Sequence, residues 1–138
     1  MTQMTTIGKK YAMEAFLGKR TIPTTLYLGL TNASTVTTLA DAYALEPVSN
    51  VNYSRIPVLA TPQSGSLSWT YSSSGPDSAS VTVNWVSSTS DIGPVSKIFL
   101  TTAAAGSLGE VFTVWDLDTS EFIIPRYVTF QKTVFFYV

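Results

Sequence analysis

Apolar residues in this chain recur at every second position in short runs, and Ser, Thr, Gly and Pro separate one run from the next. Leu26, Leu28 and Leu30 alternate with Thr25, Tyr27, Gly29 and Thr31; Val81, Val83 and Trp85 alternate with Thr82 and Asn84. Side chains of a strand point to opposite faces with a period of two, so each run predicts a strand with one buried face. Ser54, Ile56 and Val58 oppose Tyr53, Arg55 and Pro57, and Leu67, Trp69 and Tyr71 oppose Ser68, Thr70 and Ser72. Pro57 cannot donate to a ladder, which places its strand at a sheet edge or a strand end.

Two runs break the alternation. Val95 to Leu100 and Val111 to Trp115 are apolar on both faces, the pattern of central strands covered from two sides, or from one side plus a neighbouring subunit. The small, Gly-bearing stretch from Ala103 to Gly109 between them has hairpin composition. Tyr127 to Phe130 and Val134 to Val138 read as the closing strands, with Gln131-Lys132-Thr133 as the turn between them. An apolar last strand has to be paired within the subunit or across an interface, because left open it would aggregate. About eight strands at short spacing predict an all-β fold, an antiparallel β-sandwich of jelly-roll type.

Only the start of the chain has helical spacing. Ile7, Tyr11 and Ala15 share a face, with Ala12 and Phe16 beside it, Thr5 or Thr6 as the cap and Gly18 as the stop. Lys19 and Arg20 fall where the negative end of the helix dipole favours cations, and Pro23 turns the chain back to an extended form. The expected organisation is therefore a helix and arm over 1–24, followed by one sandwich domain over 25–138. The longest stretch without strand pattern, Ala33 to Val51, carries a helical turn at Leu39, Ala42, Tyr43 and Leu45 before Pro47, and reads as an interaction arm ahead of a segment that is disordered until a partner orders it.

The chain contains no His and no Cys, which removes the commonest acid–base, nucleophilic and zinc designs and any disulfide framework. Charged residues make up 12% of the chain and the net charge is -1, so copies repel one another little and nothing draws the surface to phosphate backbones. Nucleic acid is not an expected partner. Charge interrupts the apolar residues of the first twenty positions and no long apolar run follows, so neither a signal peptide nor a membrane span is expected.

Four constellations bear on chemistry. Asp116-Leu117-Asp118-Thr119-Ser120-Glu121 opens like a calcium loop, but Glu121 stands where the sharp turn needs Gly and Tyr127 where a bidentate Glu belongs, so it reads as a hydrated turn. Asp116 with Asp118 or Glu110 is the only dense acidic cluster, and closeness in sequence is poor support for a glycosidase pair. Trp69, Tyr71, Trp85 and Trp115 could stack on sugars, but packing in the core or an interface is the stronger reading of strand-borne aromatics that alternate with Ser, Thr and Asn. Arg55 is either an exposed edge residue or buried, in which case it requires Glu46 or a set of carbonyl oxygens as its partner.

The order of a Gly18-terminated helix, Thr25 to Thr31, Glu46 followed by Tyr53-Ser54-Arg55, Val81 to Trp85, Ile92 to Leu100, a Gly-bearing hairpin and Val111 to Trp115 resembles a family of small virion proteins from tailed bacteriophages. In that family a Gly-Tyr-Ala-Arg run is typical where this chain has Asn52-Tyr53-Ser54-Arg55, and a Gly-Asp pair where it has Pro125-Arg126. The resemblance implies a non-enzymatic structural protein of the virion, made in the host cytoplasm and working in many symmetric copies. Its expected role is a capsid cement or decoration subunit, with a tail, neck or fibre-attachment component as the alternative and a carbohydrate-binding receptor-recognition domain as the further one. Expected partners are the major capsid protein or tail and neck proteins, and further copies of the chain in a homo-oligomer, a trimer, with no membrane, metal or cofactor involved. The expected contact residues are Ile7, Tyr11, Phe16, Leu39, Tyr43, Leu45, Phe135 and Tyr137.

Overall fold

The computed structural model describes residues 2–21, 23–59, 67–73, 78–87, 89–117 and 121–137. Its strands are β1 (Thr2–Met4), β2 (Thr25–Thr31), β3 (Ile56–Leu59), β4 (Thr70–Ser72), β5 (Ser78–Val86), β6 (Ile92–Val95), β7 (Lys97–Thr101), β8 (Val111–Asp116), β9 (Phe122–Ile124) and β10 (Thr129–Tyr137). Two helices, α1 (Thr6–Phe16) and α2 (Leu39–Ala44), accompany them. The strands form antiparallel sheets of order β1-β8-β7-β2-β3, β10-β5-β4 and β6-β9, so the fold class is all-β. The two strands beyond the expected eight include β1 and β9, each three residues long and too short to display an alternation.

One apolar cluster is fed by all three sheets. Leu28 and Leu30 of β2, Ile98 and Leu100 of β7, Val81, Val83 and Trp85 of β5, Val134 of β10 and Ile92 of β6 are buried in it together. The opposite face of the five-stranded sheet is covered as well, by Leu39 and Ala42 of α2 packed with Phe99 of β7 and Val111 of β8. That double cover is the reason the two central runs lack alternation. Gly29 makes room for it: a Cβ there would lie 2.4 Å from the Phe99 ring and 2.9 Å from the Tyr53 hydroxyl. Pro57 lies in β3, at the edge of this sheet.

Several local expectations are corrected. Gln131-Lys132-Thr133 is not a turn: β10 runs unbroken along β5, from Thr129 opposite Val86 to Tyr137 opposite Ser78. The polar residues continue the alternation instead, with exposed Gln131 and Thr133 facing away from Val134, and the Thr133 hydroxyl pairs with that of Thr82 across the strands. The last strand thus finds its partner inside the subunit; Val138 is outside the described residues. The turn falls earlier, at 125–128, where Tyr127 has φ of 68°. Val95 to Leu100 is two strands rather than one, since Ser96 separates β6 and β7 and these enter different sheets. The 67–71 alternation yields only β4, with Trp69 half-buried before it.

Candidate interaction surface

Helix α1 is fixed to the sheet along one side. The N–H of Gly8 donates to the Thr5 hydroxyl oxygen at 2.9 Å, and that hydroxyl donates to the Val111 carbonyl, so the cap also ties the helix to β8. Gly8 is the one buried residue of the helix. A Cβ on it would stand 2.3 Å from the Phe112 carbonyl oxygen, so glycine is what lets the helix backbone lie directly on the strand. Further along, the Tyr11 ring meets Phe112 edge-on at 4.8 Å, and its hydroxyl donates to the Thr21 carbonyl at 2.6 Å.

Past the helix end, Arg20 closes the attachment. Its guanidinium lies 4.4 Å from the centre of the Tyr11 ring, donates to both Glu110 oxygens at 2.6 and 2.7 Å, and pairs with Glu14 at 2.9 Å. The Glu110 hydrogen bond pushes the Arg20 pKa up, against a smaller opposing effect of desolvation. Gly18 with φ of 71° ends the helix as expected. What this arrangement leaves outward is apolar. Phe16 is 85% exposed, and Met13 and Leu17 are exposed beside it at i−3 and i+1 spacing. Leu108, also exposed, projects from the same β7–β8 hairpin that Glu110 anchors to the helix end.

A furrow runs beside α1 on the outer side of the five-stranded sheet. Its larger part, about 500 Å³, lies among Thr6, Lys9, Thr35, Lys97, Val114 and Asp116. A second part of about 400 Å³ shares Ser34, Lys97 and Asp116 with the first and extends to Asn32 and Glu121. Lys97 and Asp116 are ion-paired within it, and Asn32 donates to Glu121 at 3.0 Å. The rim opposite the helix leads into α2, whose first turn is closed by a capping box between Thr38 and Asp41. The Thr37 hydroxyl, then the backbone N–H groups of Thr37 and Thr38, hold the Asp41 carboxyl below its ordinary pKa.

Arg55 is buried rather than exposed at an edge, and it has both kinds of partner. Its Nε and Nη2 donate to Glu46 Oε1 and Oε2 at 2.8 and 2.7 Å, while Nη1 and Nη2 donate to the carbonyls of Ala103 and Gly106 at 2.9 and 2.7 Å. The side chains of Arg55 and Glu46 are 2% and 1% exposed. Tyr53 joins them, donating to Glu46 Oε1 at 2.6 Å and accepting the Leu30 N–H at 2.9 Å. Burial, then the Glu46 charge, raises the Tyr53 pKa strongly, which keeps the phenol protonated as a donor. This clasp fastens the 46–55 segment to the 103–106 hairpin.

The expected contact residues do not share one environment. Phe16, Tyr43 and Leu45 point outward, and Phe135 is partly exposed while its carbonyl accepts the Trp115 indole N–H at 2.8 Å. Leu39 is corrected: at 1% exposure it packs under α2 against Phe99 and Val111, so it belongs to the interior. Ile7 and Tyr11 are half-buried, with Tyr11 engaged by Phe112 as described. The Tyr137 side chain lies outside what is described. Met13, Leu17 and Leu108 are exposed as well, the first two on the same outward side as Phe16, an arrangement that helix periodicity makes legible.

The chemical constellations resolve in similar detail. Trp85 and Trp115 are buried, with the Trp85 indole donating to the Ser54 carbonyl at 3.2 Å, so no sugar platform can be built on them. Glu110 is bound to Arg20 and Asp116 to Lys97, and Asp118 lies outside the described residues. Among the described residues, no group of three or more Asp or Glu is placed to hold a metal ion, and no helix is long and apolar enough to cross a membrane. No family model and no curated protein matches this chain.

Proposed function

We propose that this chain is a structural subunit of a tailed-bacteriophage virion, a capsid cement or decoration protein that holds the particle by adhesion and carries out no reaction. The observation that carries the reading is α1, attached to the sheet by Gly8, Tyr11 and Arg20 while it turns Met13, Phe16 and Leu17 outward. A helix fixed this firmly does not turn its apolar face inward, so the face is available to a neighbour. Covering Phe16 alone supplies about 2 kcal/mol, and the three side chains together about 5 kcal/mol, before the cost of association. Repetition of the contact in symmetric copies multiplies a modest affinity into firm attachment. A chain with 12% charged residues has few ions to desolvate on such a surface.

The architecture that suits this role is a jelly-roll-like β-sandwich, the reading supported by one core cluster shared between β2 and β7 on one sheet and β5 and β10 on another. Trimers built around the shell's local symmetry, with the major capsid protein beneath them, are the assembly we favour. The α1 face and the rim at Tyr43 and Leu45 are its contact elements. Imaging particles with the protein present and genetically deleted tests the reading. Cement predicts loss of regular surface density and shells that burst more easily, whereas intact heads lacking appendages would move the protein to the tail or neck.

A further inference from the structure

Strand β10 is nine residues long and stands at the edge of its sheet, with β5 on one side only. Next to the Thr129–Val86 pair, the Ser87 N–H donates to the Val128 carbonyl at 3.1 Å. The main-chain groups of even-numbered β10 residues therefore turn to β5, and those of odd-numbered residues turn away. The Phe135 carbonyl obeys that parity, since it reaches outward to accept the Trp115 indole N–H at 2.8 Å. Trp115 thereby covers one end of the outer edge. Thr129, Gln131 and Thr133 remain: all three are exposed, and among the described residues none takes their main-chain N–H or C=O groups on that side. The strand has no proline and no bulge against β5, and its one charge, Lys132, turns a half-buried side chain to the core face with Phe130 and Val134. An edge of this kind is a template for another strand.

We infer that this edge pairs with the same edge of a second copy, antiparallel about a two-fold axis at Gln131, so that the β10-β5-β4 sheets of two subunits run on as one. The register follows from the Trp115 cover. The open stretch is centred on Gln131, which sets Gln131 against Gln131 and Thr129 against Thr133 of the other copy, with about six main-chain hydrogen bonds. A second copy suits the edge better than an unrelated strand for two reasons. Pairing sets no like charges opposite one another, because each Lys132 meets Phe130 of the other copy. The same register also brings the exposed Tyr127–Val128 turn of each copy beside the exposed Phe135 of the other, twice by symmetry, so apolar surface left over by the fold is covered at both ends of the seam. The contact lies on a different sheet from the one that carries α1 and does not depend on what that helix binds. Being two-fold, it adds to a three-fold assembly rather than replacing it.

Sedimentation velocity of the full chain over a concentration series reaching about 1 mM tests it. Wild type should form reversible dimers, and Phe16→Ser should form them equally well. Gln131→Pro loses only an outward N–H, so it should stay monomeric with an unfolding midpoint close to that of wild type. Lys132→Pro, one position on, loses a bond to β5 and should unfold at much lower urea. Gln131→Lys and Gln131→Glu each set like charges face to face on the axis and should weaken dimerisation about tenfold or more. Mixed together, these two should pair with each other at least as tightly as wild type does with itself. A wild-type monomer throughout the series would overturn the inference. So would dimers of Gln131→Pro, equal effects of proline on stability at 131 and 132, a Lys–Glu mixture that forms no heterodimer, or loss of dimers in Phe16→Ser, which would place the contact on α1.

Discussion

Replacing Arg55 with Ala removes four hydrogen bonds, two of them to a carboxylate whose side chain is 1% exposed. Glu46 would be left buried with only the Tyr53 hydroxyl as donor, and the carbonyls of Ala103 and Gly106 would lose the same partner. Breaking a buried pair from one side costs about 3–5 kcal/mol, mostly because the surviving charge stays desolvated. Against a total stability of roughly 5–15 kcal/mol this is a large fraction, and for a chain of this size it corresponds to a fall in Tm of about 10–20 °C. Urea denaturation with fitted m values is the assay. Removing the second charge should restore part of the loss, so Glu46→Gln/Arg55→Met is expected to be less destabilised than the sum of the two single variants by about 2 kcal/mol. Arg55→Lys should fall between, because an ammonium cannot reach both oxygens and two carbonyls with fixed geometry. A loss below about 1 kcal/mol for Arg55→Ala would match a solvated surface pair and refute the clasp.

Two further outcomes follow from the same contacts. Gly8→Ala should destabilise by about 1–3 kcal/mol despite the better helix propensity of alanine, because the new Cβ meets backbone that cannot move aside; thermal unfolding and proteolysis after residue 18 would register the loosened helix. The Asp41 carboxyl is held below its usual value of 3.8 in the folded chain, so its contribution is fully present at neutral pH and is lost as pH falls through and below that value. Asp41→Asn should therefore lower the urea midpoint more at pH 6 than at pH 3; an equal loss at both would show that the charge is not what the Thr37 and Thr38 groups hold.

Strand positions with one buried face were legible because alternation and burial have the same cause: Val81, Val83 and Trp85 are inside where the period places them. The central strands were legible for the converse reason, since α2 and α1 cover the second face of β7 and β8. The turn before the last strand was misplaced because Gln131, Lys132 and Thr133 suit an exposed strand face as well as a turn, while the real turn carries Tyr127, a residue its backbone disfavours. Partnership over distance was legible only as a requirement. Burial of Arg55 demanded Glu46 or carbonyls, but the Ala103 and Gly106 carbonyls lie 48 and 51 positions away and no local pattern marks them. Leu39 shows the remaining limit, because an apolar residue in a long excursion reads the same whether it covers its own sheet or a neighbour's.

Adhesion through the outward face of α1 is tested most directly by adding purified protein to phage particles that lack it and measuring bound copies per particle. Wild type should bind saturably, to a copy number set by the particle's symmetry. Phe16→Ser should bind about 30-fold more weakly at unchanged stability, because its side chain is 85% exposed in the free subunit and its burial supplies about 2 kcal/mol. Wild type that does not bind, or Phe16→Ser that binds equally well, would contradict it.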